Sequence, residues 1–243
     1  MDSLPYGYSL IGEGGSAYVI KYETKHVRAA IKYPKPNAEE YLRNEIRILK
    51  YIWTFQPPKG FLSILYSNVT HLTPVLVMEF IEHETLNTYA MRRSTDRFEI
   101  MTNIVNMVQF LHSIGIAHHD INDRNILIGT HGKCWIIDFG FSLRLNFEGN
   151  HEVDFHTAAK GDKYCVLWLL VYLVSKVHFC NSSEYFQNQD VQLGLQFITE
   201  HFVFDQVMYA DDVEGREARK QIDHKCRVCR HGQQKNAFLG FKV

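Results

Sequence analysis

The hydrophobic pattern of this chain changes character once, near Glu79–Glu84, and that change restricts it to an architecture of two unlike halves. Before the change, Tyr6–Ile11, Ala17–Glu23 and Arg28–Tyr33 are short segments of β-branched, aromatic and small residues. A glycine cluster and the polar Thr24–Lys25–His26 separate them, which reads as a three-strand meander. Pro34 and Pro36 end the third strand, and Ala38–Phe55 then places Tyr41, Leu42, Ile46, Ile48, Leu49 and Ile52 at helical spacing. One amphipathic helix is expected there, with two more strands at Leu62–Val69 and Pro74–Phe80. After the change, Met101, Ile104, Val105, Val108, Leu111 and His112 trace one helix face, which Asp96 and Glu99 open as a capping pair. Ile126–Ile128 and Cys134–Ile137 read as a small hairpin around Gly129–Gly132. Lys163–Val177 is apolar on nearly every side, which suits a helix at the centre of the second half.

The expected fold class is therefore α+β: an antiparallel sheet plus one helix in residues 1–78, a connection at 79–84, and a mainly helical part in 85–243. A length of 243 residues with 46% hydrophobic content suffices for one domain with a closed core. The formal charge of −1 gives no net pull toward nucleic acid or anionic membrane, and a nucleic-acid partner is not expected. Five scattered cysteines, an odd number, fit a reducing compartment better than a disulfide framework. The opening residues carry neither the basic nor the apolar region of a secretory signal, so an intracellular protein is expected. The most apolar run, Cys165–Val174, is about half the length of a membrane span, and no span is expected.

Gly12-Glu13-Gly14-Gly15-Ser16-Ala17-Tyr18-Val19 joins the first two strands, where glycines let backbone N–H groups approach phosphate oxygens, although a glycine-rich hairpin can equally be only a turn. The loop lacks the Gly-Lys-Ser/Thr ending of a Walker sequence. Ala30-Ile31-Lys32 puts a lysine on the third strand, and Glu45 lies thirteen residues later on the helix, available to hold it by an ion pair. Ile116 to Ile128 crowds His118, His119, Asp120, Asn122, Asp123, Arg124 and Asn125 between two apolar elements. Trp135-Ile136-Ile137-Asp138-Phe139-Gly140 then brings a carboxylate out of an apolar strand, a costly position for a lone charge unless a cation is bound beside it.

Taken together these residues resemble the eukaryotic-type protein kinase superfamily, over about Tyr6 to Val177. Five positions from Asp120 to Asn125 and thirteen from Asn125 to Asp138 are that family's spacings for its catalytic loop and Asp-Phe-Gly segment. The resemblance implies a bilobal kinase fold, with residues 1–78 as N-lobe, 79–84 as hinge and 85–243 as C-lobe. It implies ATP and Mg2+ as cofactors and a protein substrate. Asp120 would orient the acceptor hydroxyl and take its proton, Asn125 and Asp138 would hold magnesium, and Lys32, kept in place by Glu45, would face the α- and β-phosphates. Gly12, Gly14, Gly15, Val19 and Ala30 would cover the nucleotide. Met78 would limit the back of its pocket, with main-chain groups of Glu79 and Ile81 meeting adenine. His118 falls on the motif histidine, whose role is structural.

The chain departs from that pattern at several positions. Ala17 replaces the third glycine, and His119 replaces the arginine that in many members reads a phosphate on the activation segment. Asn122 stands where Ser/Thr kinases carry a lysine, and Arg124 where many tyrosine kinases place a compensating arginine. Only 24 positions separate Asp138 from Asp162, which resembles the aspartate that opens the central helix of the lower lobe, and no Ala-Pro-Glu follows. Such trimming is similar to that of viral and atypical kinases. The expected function is an ATP-dependent protein kinase, Ser/Thr favoured over Tyr. A pseudokinase or ATP-binding scaffold and a small-molecule phosphotransferase on the same fold are the alternatives. The tail holds His224, Cys226, Cys229 and His231, a single Cys-x-x-Cys that reads as a basic solvated tail or, if further ligands join, a zinc site.

Overall fold

The computed structural model describes residues 7–70, 73–92, 97–145 and 152–175. Strands β1 (Tyr8–Glu13), β2 (Ala17–Glu23) and β3 (Arg28–Pro34) form the meander, helix α1 (Glu39–Trp53) follows, and β4 (Ile64–Asn68) and β5 (Val75–Glu79) complete an antiparallel sheet ordered β1-β2-β3-β5-β4. A bulge at Ile11 shifts the β1–β2 register between Leu10 and Gly12, just before the glycine-rich turn. Helix α1 has no side-chain N-cap; Glu39 and Glu40 in its first turn complement the helix dipole instead. It buries Leu42, Glu45, Ile46, Ile48, Leu49 and Ile52. Gln56, at φ 49, turns the chain away just beyond it.

The second half contains β6 (His83–Thr85), α2 (Leu86–Arg92), α3 (Arg97–Ser113), β7 (Ile116–Ala117), β8 (Ile126–Gly129), a 3-10 turn at Thr130–Gly132, β9 (Cys134–Ile136), β10 (Leu143–Arg144) and α4 (Glu152–Ser175). The expected hairpin is present as β8 and β9, and β6 extends it into a three-stranded sheet, His83 pairing with Gly129. The α+β class and the division into a sheet-rich and a helical part are as the sequence indicates. One core runs through both parts and joins Ile46, Leu49 and Leu76 to Ile104, Val108, Leu111, Ile136, Phe139, Val166 and Leu169. Each fully buried side chain of this size contributes roughly 1.5–3 kcal/mol.

One expectation is corrected. Asp162 does not open the central helix but lies inside α4, which starts at Glu152. The physical reason is a second apolar stripe: Phe155, Ala158 and Ala159 recur at helical spacing and pack with Ala117, so the helix gains burial ten residues before the long apolar run. Tyr6, Asp96, Lys176, Val177 and the tail residues His224, Cys226, Cys229 and His231 lie outside the described residues. Among the described residues no helix is long and apolar enough to cross a membrane.

Candidate active site

A cleft of about 1130 Å³ lies between the sheet and the helical part. Its walls contain Gly12, Gly14, Gly15, Val19, Ala30, Lys32, Glu45, Met78, Glu79, Ile81, Asp120, Arg124, Asn125 and Asp138, so the structure gathers every residue expected to act there into one cavity. In the glycine-rich turn, the Gly14 N–H donates to the Ala17 carbonyl at 2.9 Å. A Cβ on Gly14 would meet only that carbonyl, at 3.8 Å, so no protein packing demands glycine there and the space above the turn is open to a ligand.

Lys32 is 7% exposed on β3, cross-strand from Val19 on one side and Leu76 on the other. Its Nζ lies 2.6 Å from Glu45 Oε2 and 3.0 Å from Asp138 Oδ1, so one ammonium joins helix α1 to the turn after β9. Burial pushes the Lys32 ammonium toward neutrality, but the two carboxylates outweigh it and hold its pKa above the usual lysine range. Burial would raise Asp138; the Lys32 charge reverses this and keeps that carboxyl below its ordinary value. Asp138 sits at φ 67, a left-handed conformation that costs a non-glycine residue on the order of 1–3 kcal/mol and marks functional turns.

The loop after β7 is organised by hydrogen bonds to its own backbone. His118 is fully buried; its Nε2 bonds the Ile137 carbonyl at 3.0 Å and its Nδ1 accepts the Asp120 N–H at 3.2 Å. That network assigns a neutral ring protonated at Nε2, in accord with burial lowering its pKa. Asn125 Nδ2 donates to the Asp120 carbonyl at 2.9 Å and to Asp120 Oδ2 at 3.0 Å, leaving an amide oxygen as the group its side chain can offer a cation. Asn122 lines the cleft, but its amide is engaged with the loop backbone. Its Nδ2 donates to the Asp120 carbonyl, and its Oδ1 accepts from the Arg124 and Asn125 N–H groups, so it builds the turn. The Arg124 side chain is exposed at the cleft.

Sequence reasoning missed how this loop is held. Asp162, 1% exposed inside α4, accepts the His118 N–H at 2.6 Å on Oδ2 and the His119 N–H at 2.7 Å on Oδ1, while His112 Nε2 lies 3.1 Å from Oδ2. Burial would raise that carboxyl, but the His112 hydrogen bond and charge, with the His119 N–H, lower it. The available signal was a carboxylate on an apolar helix face, between Ala159 and Val166, which must find donors across the chain. At the other end of the cleft, Glu79 turns its carboxylate away to accept the Ser63 N–H (2.7 Å) and hydroxyl (2.9 Å), and His83 Nδ1 bonds the Ile81 carbonyl at 2.6 Å.

The donor set suits a hard cation only with outside help. Among the described residues no group of three or more His, Cys, Asp or Glu side chains comes together as a metal cage. Asp138 and Asn125 supply two oxygens in a cleft with room for a polyphosphate, the pattern by which Mg2+ is bound through one or two protein oxygens plus phosphates and water.

Comparison with known proteins bears on this cleft directly. The family model described as "protein kinase domain" matches residues 7–165. The serine/threonine-protein kinase ste20 of Emericella nidulans is 27% identical over 155 residues, covering 60% of this chain and 18% of that protein. A probable cell division protein kinase of Encephalitozoon cuniculi is 29% identical over 144 residues, 56% of this chain and 52% of its own length. The probable serine/threonine-protein kinase PknB of Lactococcus lactis is 27% identical over 151 residues, 56% of this chain and 23% of its own. The chain thus spans from about a fifth to half the length of these relatives.

Proposed function

The chain belongs to the protein kinase family, and from that premise we propose that it transfers the γ-phosphoryl group of ATP to a protein hydroxyl, Ser/Thr favoured over Tyr. The observation that carries this reading is the assembled contact of Lys32 with Glu45 and Asp138 in the same cleft as the bonded pair Asp120 and Asn125. Phosphoryl transfer asks little covalent chemistry of a protein, so positioning and charge neutralisation account for most of the rate.

In this reading Asp120, oriented by Asn125, holds the acceptor hydroxyl and takes its proton. Lys32 neutralises the α- and β-phosphates, and Glu45 keeps the ammonium from swinging away. Gly12, Gly14, Gly15, Val19 and Ala30 enclose the nucleotide, Met78 sets the depth of its pocket, and main-chain groups of Glu79 and Ile81 meet the adenine edge. Asn125 and Asp138 are the residues that would hold Mg2+, which when bound supplies charge neutralisation on the phosphate oxygens. Arg124, exposed at the cleft, is assigned the positive charge near the γ-phosphate that Asn122, committed to the loop backbone, does not provide. The scattered, odd-numbered cysteines support a reducing, intracellular compartment for this activity.

The test of specificity is phosphoamino-acid analysis of protein acceptors labelled from γ-radiolabelled ATP with magnesium. Phosphoserine and phosphothreonine are expected. Label in phosphotyrosine alone would reverse the preference, and ATP consumption only on adding a small-molecule acceptor would replace the protein substrate with a metabolite.

A further inference from the structure

Glu45 can organise Lys32 only if helix α1 is held at one rotation and one distance from the cleft. Two carboxylates share a single ammonium here, and Glu45 and Asp138 repel each other through it, so contacts other than the ion pairs must fix the spacing. Asn44, the residue before Glu45, supplies such contacts. Its Nδ2 donates to the carbonyls of Gly140 at 3.1 Å and Ser142 at 2.9 Å, using both hydrogens of the amide on the turn that directly follows Asp138.

The neighbouring contacts repeat the same junction. Tyr41, one turn earlier on α1, packs against Phe141 with ring centroids 4.7 Å apart and the rings tilted by 46°. A Cβ on Gly140 would stand 3.3 Å from Tyr41 Cβ and 3.4 Å from the Tyr41 carbonyl oxygen, so helix and turn approach closely there. Farther along α1, the Arg144 guanidinium lies 3.5 Å from the centre of the Tyr51 ring. From the opposite side, Ser142 Oγ donates to the His118 carbonyl at 3.1 Å, and β10 pairs with β7. Residues 140–144 therefore form a strip fastened to α1 at three levels and to the catalytic loop beneath it.

We propose that Asn44 is a positioning residue for phosphoryl transfer: through Gly140 and Ser142 it fixes Glu45 and Asp138 on either side of Lys32, so the site assembles without a phosphate group on the segment after Asp138. The proposal rests on the protein kinase reading above. Its physical basis is that main-chain carbonyls are present in every modification state of the chain, whereas a phosphate-dependent latch exists only after another kinase has acted.

The experiment uses the full chain freed of phosphate by a phosphatase, compared with Asn44→Asp, which keeps the shape and replaces the donors by acceptors, and with Asn44→Ala. Three quantities are read: kcat, KM for ATP, and the rate at which a lysine-acylating reagent modifies Lys32 in nucleotide-free protein. The phosphate-free wild type keeps its full rate. Losing two hydrogen bonds lowers kcat by about 10–100-fold in both variants, with KM for ATP moving less than about 3-fold. Lys32, released from Glu45 for a larger share of the time, is acylated about 10-fold faster. A purely structural role would lower the melting temperature and leave Lys32 acylation below the transition unchanged, which would overturn the proposal. So would a wild type that is inactive until phosphorylated. Acylation is read without catalysis, so a chain that transfers no phosphate at all defeats the kinase reading and leaves the Asn44 test standing. If neither variant folds, Phe141→Ser loosens the same strip from its exposed side, and the same acceleration is expected.

Discussion

Replacing Asp162 with alanine removes a carboxylate that is 1% exposed and accepts the His118 N–H at 2.6 Å, the His119 N–H at 2.7 Å and a bond from His112 at 3.1 Å. Hydrogen bonds to a charged group contribute about 1.5–3 kcal/mol each, so three set a ceiling of about 5–9 kcal/mol. Water entering the alanine cavity recovers part of that, and a net loss of about 4–6 kcal/mol is expected, a large share of the 5–15 kcal/mol typical of a whole domain. His119 is held at φ 62, and without the carboxylate on its N–H the loop relaxes toward an ordinary conformation and carries the adjacent Asp120 with it. Catalysis should then fall by at least about 100-fold while ATP still binds, because the groups moved are those proposed to hold the acceptor. Asp162→Asn keeps one acceptor oxygen and should lose about half as much. Its pH dependence follows from the lowered pKa: the stabilisation is complete above the ordinary value of 3.8 and is lost as pH falls through the lower folded value. Urea unfolding curves at several pH values, with kcat measured on the same preparations, provide the assay. An Asp162→Ala protein within about 1 kcal/mol of wild type, or with kcat within about threefold, would exclude this role for Asp162.

Lys32→Met should cost about 3–5 kcal/mol at pH 7, because it leaves Glu45 buried without its cation. That cost should shrink as pH falls and Glu45, already pushed up by burial, takes a proton; a penalty constant from pH 7 to pH 5 would contradict the ion-pair account. His118, whose pKa burial lowers, contributes stability that is whole above its ordinary value of 6.5 and is lost as pH falls from there toward the folded value. Melting temperatures from pH 7.5 to pH 5 should therefore slope less in His118→Gln than in wild type, and parallel slopes would exclude the neutral-ring assignment.

The sheet and helix α1 were legible from local signals: β2 and β3 are short runs of β-branched, aromatic and small residues bounded by glycine and polar turns, and the Leu42–Ile46–Leu49–Ile52 stripe lies within one helix. Strands β7 and β10 were not, since two residues carry no alternation and their pairing is set by a chain reversal of about 26 residues. The early start of α4 was missed because resemblance put the opening of the helix at Asp162, although Phe155, Ala158 and Ala159 already gave the helical face its anchors. The site residues were legible as a spaced set, through resemblance. What joins them was not: Lys32 meets Asp138 across 106 positions, and Asp162 reaches back 44 to the His118 N–H. Local patterning fixes which groups are buried, whereas the partner of a buried polar group is decided by the tertiary fold.

Phosphate transfer in this cleft, with Asp120 positioning the acceptor, is the proposal on which the other predictions depend. Single-turnover labelling of a protein acceptor from γ-radiolabelled ATP and magnesium, in wild type and Asp120→Asn with ATP binding titrated in both, tests it most directly. Labelling by wild type, a loss of at least about 100-fold in the variant, and ATP dissociation constants within about threefold of each other are expected. Equal labelling by both proteins would contradict the role given to Asp120, and ATP binding without labelling by either would make the cleft a nucleotide-binding scaffold.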